Sequence, residues 1–138
     1  MSTTTRPSSI VMRFLAQPST VNFGGKVHGG TVMSWIDQAA YACSTAWAQR
    51  YCVTAYVGGI RFVRPIMIGD LVEVEARLAY TGKTSMNIAV EVRSGDPKGN
   101  GLEKTSECAV VMVEGTLMWP SFRTLIAASR DRTRSVTP

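Results

Sequence analysis

Residues 29–49 read GGTVMSWIDQAAYACSTAWAQ, and this stretch decides the fold. Its apolar residues recur every three or four positions, a spacing that places them on one face of an α-helix. These apolar positions are Val32, Met33, Ile36, Ala39, Ala40, Cys43, Ala46 and Trp47. We therefore predict one long helix that packs along one face. The Gly29-Gly30 pair at its start exposes backbone amides that no side chain screens.

The rest of the chain follows the period of two that is typical of half-buried β-strands. Five segments are predicted as strands: residues 9–16, 51–65, 72–80, 85–93 and 104–113. The second should bend at Gly58-Gly59, and residues 81–83 should connect the third to the fourth. The apolar set of the third strand runs from Val72 to Tyr80 on one face. Residues 108–113 are apolar on both faces, so the fifth strand should lie inside the sheet.

One long helix and a run of antiparallel strands predict an α+β domain in which the sheet covers the helix. The chain has 138 residues, enough for one ordinary hydrophobic core. We divide it into a flexible N-terminus (1–8), one domain (9–122) and a basic C-terminal tail (123–138). Because a single helix covers only part of such a sheet, we expect some apolar surface to remain and the chain to self-associate.

The net charge of +5 does not indicate a nucleic-acid partner. Arg123, Arg130, Arg132 and Arg134 against Asp131 give the tail 4 − 1 = +3, which leaves 5 − 3 = +2 for the body. The tail has no interleaved aromatic residues and no recognition helix, so we expect a solvated segment.

The apolar stretches end well before the roughly 20 residues that span a bilayer, and residues 1–5 lack the features of a secretory signal. Cys43, Cys52 and Cys108 are widely spaced in apolar surroundings, so we expect buried, reduced thiols. These features predict a cytoplasmic protein with no membrane partner.

Most familiar catalytic systems have no counterpart in this sequence. It has one histidine, His28, and no GxSxG motif, so a Ser-His-Asp relay would have to use that residue. Zinc ligands are scattered over different elements, and no Rossmann or P-loop pattern occurs. What remains is residues 22–30, NFGGKVHGG, followed by Asp37 in the helix.

Each residue of this segment also has an ordinary structural interpretation. Asn22 is typical of turns, and His28 is typical of the passage from a loop to a helix. Asp37 borders the apolar stripe of the helix, where a carboxylate should be partly buried, or could simply meet water or an arginine.

Taken together, these residues resemble the acyl-CoA thioesterases of the hotdog fold, in which an antiparallel sheet wraps around one long central helix. The resemblance covers about residues 14–115 and is strongest in the branch with an Asn and Asp pair. Its motifs are Pro18, Asn22, Gly25, His28-Gly29-Gly30, Met33, Asp37-Gln38-Ala39-Ala40, Val53-Thr54, Arg61-Phe62-Val63-Arg64-Pro65, Gly69-Asp70 and Gly82-Lys83-Thr84-Ser85-Met86.

The resemblance implies hydrolysis of an acyl-CoA thioester to a carboxylic acid and coenzyme A. Asp37 would be the general base or the nucleophile, and Asn22 would position water or the carbonyl group. Backbone amides at the helix start, around Gly30 with His28 and Gly29, would form the oxyanion hole. No metal or redox cofactor is implied, and coenzyme A enters as part of the substrate.

Elementary chemistry is consistent with these roles. A helix N-terminus provides donors and a favourable dipole for an oxyanion, and a thioester is electrophilic enough for a carboxylate or an activated water. Gly30 and Asp37 lie about 10 Å apart along the helix, too far to contact one carbonyl group. Two antiparallel helices in a homodimer could bring Asp37 of one chain to Asn22 and Gly30 of the other. The resemblance implies the same arrangement and further assembly into a hexamer, a trimer of dimers.

Coenzyme A carries phosphates that require cations and hydrogen-bond donors. Arg61, Arg64 and Lys83 are candidate phosphate ligands, and Thr84 and Ser85 could supply hydroxyl and amide donors. Each of these cations could equally be an ordinary exposed residue of the sheet.

Two other functions fit the same residues less well. A hotdog hydratase would need a histidine that works with the aspartate, but His28 precedes the helix. A non-catalytic acyl-CoA-binding or sensor module would be expected to carry an attached regulatory or DNA-binding domain, and neither end of this sequence predicts one.

Overall fold

The chain is represented by a computed structural model that describes residues 6–115. The elements are β1 (Ser9–Leu15), a short 3-10 helix (Pro18–Thr20), α1 (Gly29–Ala48), β2 (Cys52–Phe62), β3 (Leu71–Thr81), β4 (Ser85–Gly95) and β5 (Glu103–Glu114). The predicted order of elements is confirmed, with small differences at the ends. The predicted basic tail lies outside the described residues, as do residues 1–5 of the predicted flexible N-terminus.

The strands form one sheet in the order β1-β3-β4-β5-β2, and all neighbouring strands are antiparallel. β5 lies between β4 and β2, as its two apolar faces predict. β1 and β2 form the edges. α1 packs against all five strands, so the predicted α+β architecture of a sheet around one long helix is confirmed.

The set of α1 residues that is buried differs from the predicted set along one flank of the helix. The helical period places Met33 on this face, but its side chain is 44% exposed. Trp35 is buried instead and stacks on Phe14 of β1, with ring centroids 5.1 Å apart. The prediction for Met33 is wrong because β1 covers the Trp35 flank of the helix, and the periodicity of the helix alone does not show which flank is covered.

Two local features of the strands depend on backbone geometry. The register of β2 against β5 shifts between Gly58 and Arg61, and Gly59 has φ 64°, a left-handed conformation that favours glycine. The bend predicted at this pair is confirmed. A second shift in β3, between Leu78 and Tyr80, leaves Tyr80 exposed, so its predicted inward orientation is wrong.

Two loops are bonded to each other beside the start of α1. Gly69, with φ 86°, donates its N–H to the Ala16 carbonyl at 2.8 Å, and Ala16 donates to Asp70 at 2.9 Å. The Val27 N–H donates to the Ile66 carbonyl at 2.9 Å. These bonds join the loop that carries Asn22, which leads into α1, to the loop between β2 and β3.

Apolar side chains remain exposed near both edges of the sheet. They include Val57 and Phe62 on β2, the adjacent Val63, and Val11 and Leu15 on β1. Self-association through such an edge stays a prediction. Within residues 6–115, no helix has both the length and the apolar character that crossing a bilayer requires.

Candidate active site

The Asn22 side chain is held by the turn that follows it. Its Oδ1 accepts hydrogen bonds from the backbone N–H groups of Gly24 at 2.9 Å and Lys26 at 3.2 Å. The turn is closed by the Asn22 N–H, which donates to the Lys26 carbonyl at 2.7 Å. Because Oδ1 is engaged, the Nδ2 group is left as the donor that Asn22 can offer to another molecule.

The start of α1 leaves two backbone donors free. The His28 carbonyl accepts the N–H groups of Thr31 at 3.0 Å and Val32 at 3.1 Å. No residue in the 6–115 range accepts the N–H groups of Gly29 and Gly30. The His28 side chain caps no amide, and the residue is exposed. The two glycine amides are therefore available to another molecule, and His28 forms its hydrogen bonds here through its backbone, accepting from Thr31 and Val32 and donating to Thr20.

Asn22 and Gly29 share one cavity of about 360 Å³. We call it the Asn22 cavity; it is lined by Asn22, Val27, Gly29, Val32, Ile66 and Ser106, among others. Its wall is mostly apolar, and Lys26 and Arg64 also border it. A side chain at Gly29 would meet the Phe62 ring at 3.7 Å, whereas a Cβ at Gly30 would meet no atom within 4 Å.

Asp37 lies on the outward face of α1 and is exposed, so the expectation of partial burial is wrong for a single chain. The physical reason is that Asp37 belongs to the exposed side of the helix, with Met33, Ser34, Gln38 and Tyr41, and meets the sheet at the border of that side through Thr54 of β2. Asp37 Oδ1 accepts a hydrogen bond of 2.5 Å from the Thr54 hydroxyl of β2.

Thr54, the partner of Asp37, was not predicted as a site residue, although it occurs in one of the motifs. Its hydroxyl also lies 3.4 Å from the Met112 sulfur. One feature of the sequence could have indicated Thr54. Its hydroxyl stands in the otherwise apolar start of β2, which reads CVTAYV. Asp37 and Thr54 border a second cavity of about 460 Å³, the Asp37 cavity, together with Met12, Tyr41, Tyr51 and Met112.

A single chain does not bring the two groups of candidate residues together. Asn22 and Gly29 border one cavity, and Asp37 borders the other. Gly30 and Asp37 are separated by about 10 Å of helix rise, as the sequence predicts. The chain thus presents Asn22 and the unpaired amides of the helix start at one place and the Asp37 carboxylate at another.

The candidate coenzyme A ligands are also divided between the two ends of the sheet. Arg61 and Arg64 lie near Ser106 of β5, whereas Lys83, Thr84 and Ser85 lie near Val113, seven residues further along that strand. At about 3.3 Å per residue this separation is about 23 Å. One chain therefore does not assemble the predicted set into one phosphate site.

Carboxylates already face two of these cations. Arg61 lies 3.8 Å from Glu107, and Arg64 pairs with Glu103. Both pairs are exposed, where an ion pair contributes about 0–1 kcal/mol, so a phosphate could displace the carboxylate. Lys83 has no carboxylate partner within residues 6–115.

The thiols of Cys43, Cys52 and Cys108 are free and buried, as predicted. Burial raises the pKa of all three thiols, which lowers the reactive thiolate fraction. We expect the native protein to give no fast reaction with a thiol reagent at pH 8 and to titrate three thiols in denaturant. Rapid reaction of one equivalent in the native state would contradict this expectation.

Comparison with known proteins identifies the family to which this chain belongs. The sequence profile of the thioesterase superfamily matches residues 24–99, more than half of the chain. This chain belongs to that superfamily. It is 35% identical over 106 residues to Protein VdlD of Helicobacter pylori, covering 77% of this chain and 61% of that protein. It is 37% identical over 83 residues to the acyl-CoA thioester hydrolase YciA of Escherichia coli, covering 60% and 63%. The aligned regions thus span about three fifths of these relatives.

Solved structures confirm the predicted hotdog thioesterase fold. The hexameric thioesterase y2039 from Yersinia pestis superposes with a TM-score of 0.72 at 31% identity, covering 78% of this chain and 88% of that one. An acyl-CoA hydrolase from Staphylococcus aureus, in complex with butyryl coenzyme A, coenzyme A and coenzyme A disulfide, has a TM-score of 0.74 at 27% identity. That match covers 78% of this chain and 65% of the other.

Proposed function

We propose that this protein hydrolyses acyl-CoA thioesters to the free carboxylic acid and coenzyme A. The observation that carries the proposal is Asp37, an exposed carboxylate that accepts the Thr54 hydroxyl at 2.5 Å beside a cavity. Family membership and the acyl-CoA hydrolase names of the relatives support the same reaction.

In this mechanism Asp37 acts as general base or as nucleophile. As a base, Oδ2 takes a proton from a water whose oxygen attacks the thioester carbon. The tetrahedral intermediate then expels the coenzyme A thiolate, which takes up a proton. As a nucleophile, the carboxylate itself displaces the thiolate, and water hydrolyses the resulting anhydride. In both pathways the Thr54 hydrogen bond fixes the orientation of the carboxylate.

The Asn22 cavity supplies the donors for the developing oxyanion. The Asn22 Nδ2 group and the N–H groups of Gly29 and Gly30 lie at the positive end of the α1 dipole. Donors that are oriented before the reaction stabilise an oxyanion more than the neutral carbonyl, and this difference accelerates the reaction.

The Staphylococcus aureus hydrolase supports a role for the Asp37–Thr54 pair. Structures of that enzyme include alanine variants of one aspartate and of one threonine 17 residues after it. Asp37 and Thr54 are also 17 residues apart. We therefore assign Thr54 as the residue that positions Asp37.

We further propose that the active site forms between two chains of a homodimer. The oxyanion donors and the carboxylate occupy separate cavities of one chain, and an antiparallel pair of helices would place each set opposite the other. A hexamer built from three such dimers is the proposed complete assembly; the Yersinia pestis thioesterase is hexameric. The same dimer would bring Arg61 and Arg64 of one chain towards Lys83, Thr84 and Ser85 of the other.

Two further proposals complete this function. The reaction needs no metal or redox cofactor, since the residues above supply a base and oxyanion donors. The place of action is the cytoplasm, as the sequence predicts.

A thiol-release screen tests the proposed function. Short, long and aromatic acyl-CoA thioesters are mixed with the protein and a thiol reagent, and free coenzyme A is measured. Turnover supports the hydrolase. Binding without thiol release, measured by calorimetry on the same thioesters, would favour a non-catalytic binding or sensor module.

Gly30 gives a prediction that separates catalysis from folding. A Cβ at this position would meet no atom within 4 Å, and alanine is the better helix former, so Gly30→Ala should fold with an equal or higher melting temperature. The added methyl group would crowd the space beside the free amides. We expect kcat/KM to fall by about tenfold or more. A stable variant with full activity would contradict the assignment of these amides.

A further inference from the structure

We propose that the Asn22 cavity holds the acyl group of the substrate, and that Ser106 selects short acyl groups carrying a hydroxyl or keto oxygen. This inference rests on the proposed function and names the substrate class of that site. Its basis is the buried, unpaired hydroxyl of Ser106, a residue that lines this apolar cavity.

The position of the cavity suits the acyl group better than coenzyme A. Asn22 and Gly29, the proposed contacts of the thioester carbonyl, line it, so a group that enters from the carbonyl begins at these residues. Val27, Val32 and Ile66 provide an apolar wall. The volume of about 360 Å³ is small for a ligand site, which suits a short acyl group. Coenzyme A must instead extend to solvent, because its phosphates are charged.

Ser106 is the polar exception in this cavity. It lies on β5 in alternation with Cys108, Val110 and Met112, all of them buried on the side of the sheet that faces α1. Ser106 is 1% exposed, and its Oγ has no hydrogen-bond partner among residues 6–115.

Other buried hydroxyls of the described residues are bonded within the protein, except Thr45 Oγ1 of α1, which is also unpaired but does not line the Asn22 cavity. Thr105 Oγ1 donates to the Val92 carbonyl at 2.9 Å, and Ser44 Oγ, also fully buried, donates to the Tyr41 carbonyl at 3.1 Å. Buried hydroxyls are nearly always bonded, and Ser106 differs from Thr45 in lining a cavity that a ligand can enter. Its partner is therefore a group bound in that cavity, which the hydroxyl reaches by rotating about its one side-chain bond.

The chemistry of that partner follows from its surroundings. A serine hydroxyl can donate and accept, and rotation about one bond moves it between staggered positions, so it can pair with a hydroxyl or a keto oxygen. The buried side chains next to it are uncharged, which favours a neutral group over a carboxylate. An unsubstituted acyl chain would leave the Ser106 hydroxyl unpaired, and a site built this way discriminates against such a substrate.

Matched substrates test the inference. Thiol release is measured with butanoyl-CoA and hexanoyl-CoA and with the 3-hydroxy and 3-oxo forms of each, using both enantiomers of the hydroxy forms. We expect kcat/KM to be about tenfold or more higher for the oxygenated member of each pair. In Ser106→Ala the ratio should fall to about one, whereas the control Ser44→Ala, which removes a bonded buried hydroxyl outside the cavity, should keep the wild-type ratio.

Two further measurements separate acyl recognition from other roles of Ser106. Free coenzyme A should inhibit wild type and Ser106→Ala with the same inhibition constant, because the hydroxyl contacts the acyl group. The melting temperature of free Ser106→Ala should be equal to or above that of wild type, because an unpaired buried hydroxyl is lost. A lower melting temperature with an unchanged substrate ratio would show a structural hydroxyl and overturn the inference.

Two further outcomes distinguish failure of this inference from failure of the proposed function. If wild type hydrolyses the unsubstituted thioesters at least as well as the oxygenated ones, the inference is overturned and the proposed function stands. If a folded wild-type protein releases no thiol from any of these thioesters, the proposed function fails and the inference fails with it.

Discussion

Replacement of Asp37 by alanine should lower kcat/KM for acyl-CoA hydrolysis by at least about a hundredfold and leave the fold intact. The variant removes the carboxylate that accepts the Thr54 hydroxyl and borders the Asp37 cavity. Because Asp37 is exposed, its loss creates no core cavity and leaves no buried charge unpaired. Asp37→Asn should lose a similar amount, since an amide of the same shape neither accepts the proton nor attacks the thioester. Steady-state thiol release and thermal unfolding measure the two effects.

Thr54 and Asp96 provide the controls for this experiment. Thr54→Val removes the hydroxyl at nearly constant volume and should lower kcat by about tenfold, while Thr54→Ser should retain most of the activity. Asp96 lies in the loop between β4 and β5, where its Oδ1 accepts the Lys98 N–H at 2.9 Å, so Asp96→Asn should hydrolyse normally. A folded Asp37→Ala protein with near-normal turnover would refute the mechanism.

The sequence predicted those features that depend on local chemistry. α1 was predicted to begin at Gly29 and end near Gln49, and the structure ends it with Gln49 at φ 55° and its N–H bonded to Thr45. The alternation in β3 and β4 also predicted the buried rows correctly, except at Tyr80. Apolar period and turn residues act over a few neighbours, so one sequence is enough to recognise them.

Features that depend on distant contacts were missed. Met33 was predicted to be buried but is exposed, and Trp35 is buried instead. The reason is that Phe14, about twenty residues earlier, covers the Trp35 flank of the helix. Tyr80 is turned outward by a register shift that involves the partner strand. Hydrophobic period shows that a face is buried, but the neighbouring elements decide how wide that face is.

The candidate site likewise contains residues that a local sequence segment predicts and residues whose role depends on distant contacts. Asn22, Gly29 and Gly30 lie in one continuous segment, and their turn and helix-start geometry follows from that segment. Thr54 joins the site through a hydrogen bond between two elements, which no local pattern contains. Arg61 and Arg64 were predicted as phosphate ligands, but a sequence does not show that Glu107 and Glu103 face them across the sheet.

The proposed division of the active site between two chains predicts that two impaired variants complement each other. We expect two impaired variants, Asn22→Ala and Asp37→Ala, to restore each other when their chains are exchanged. In a mixed dimer the intact Asp37 of one chain would face the intact Asn22 of the other, and both lesions would fall in the second site. With random pairing of equal amounts, half of the dimers are mixed and each has one of two sites intact. Activity should therefore reach about a quarter of wild type.

The comparison must allow for the residual activity of Asn22→Ala, which we expect to be the milder variant. Without exchange between chains, the mixture has the mean activity of its two parents. The chains are combined after reversible dissociation, and mass spectrometry of the intact assemblies establishes that mixed dimers have formed. Thiol release is then compared with the parental mean and with wild type at the same total concentration.

A mixture of wild type with the double variant Asn22→Ala/Asp37→Ala provides the complementary control. If each site takes Asp37 and Asn22 from different chains, every site of a mixed dimer carries one lesion, and activity comes mainly from wild-type dimers, about a quarter of the total. If both residues act within one chain, each mixed dimer keeps one intact site, and activity should be about half. Verified exchange with activity at the parental mean in the first mixture and about half in the second would refute the shared site. The two cavities of one chain would then have to meet by a movement of α1 or of the Asn22 loop, since about 10 Å of helix separates Gly30 from Asp37.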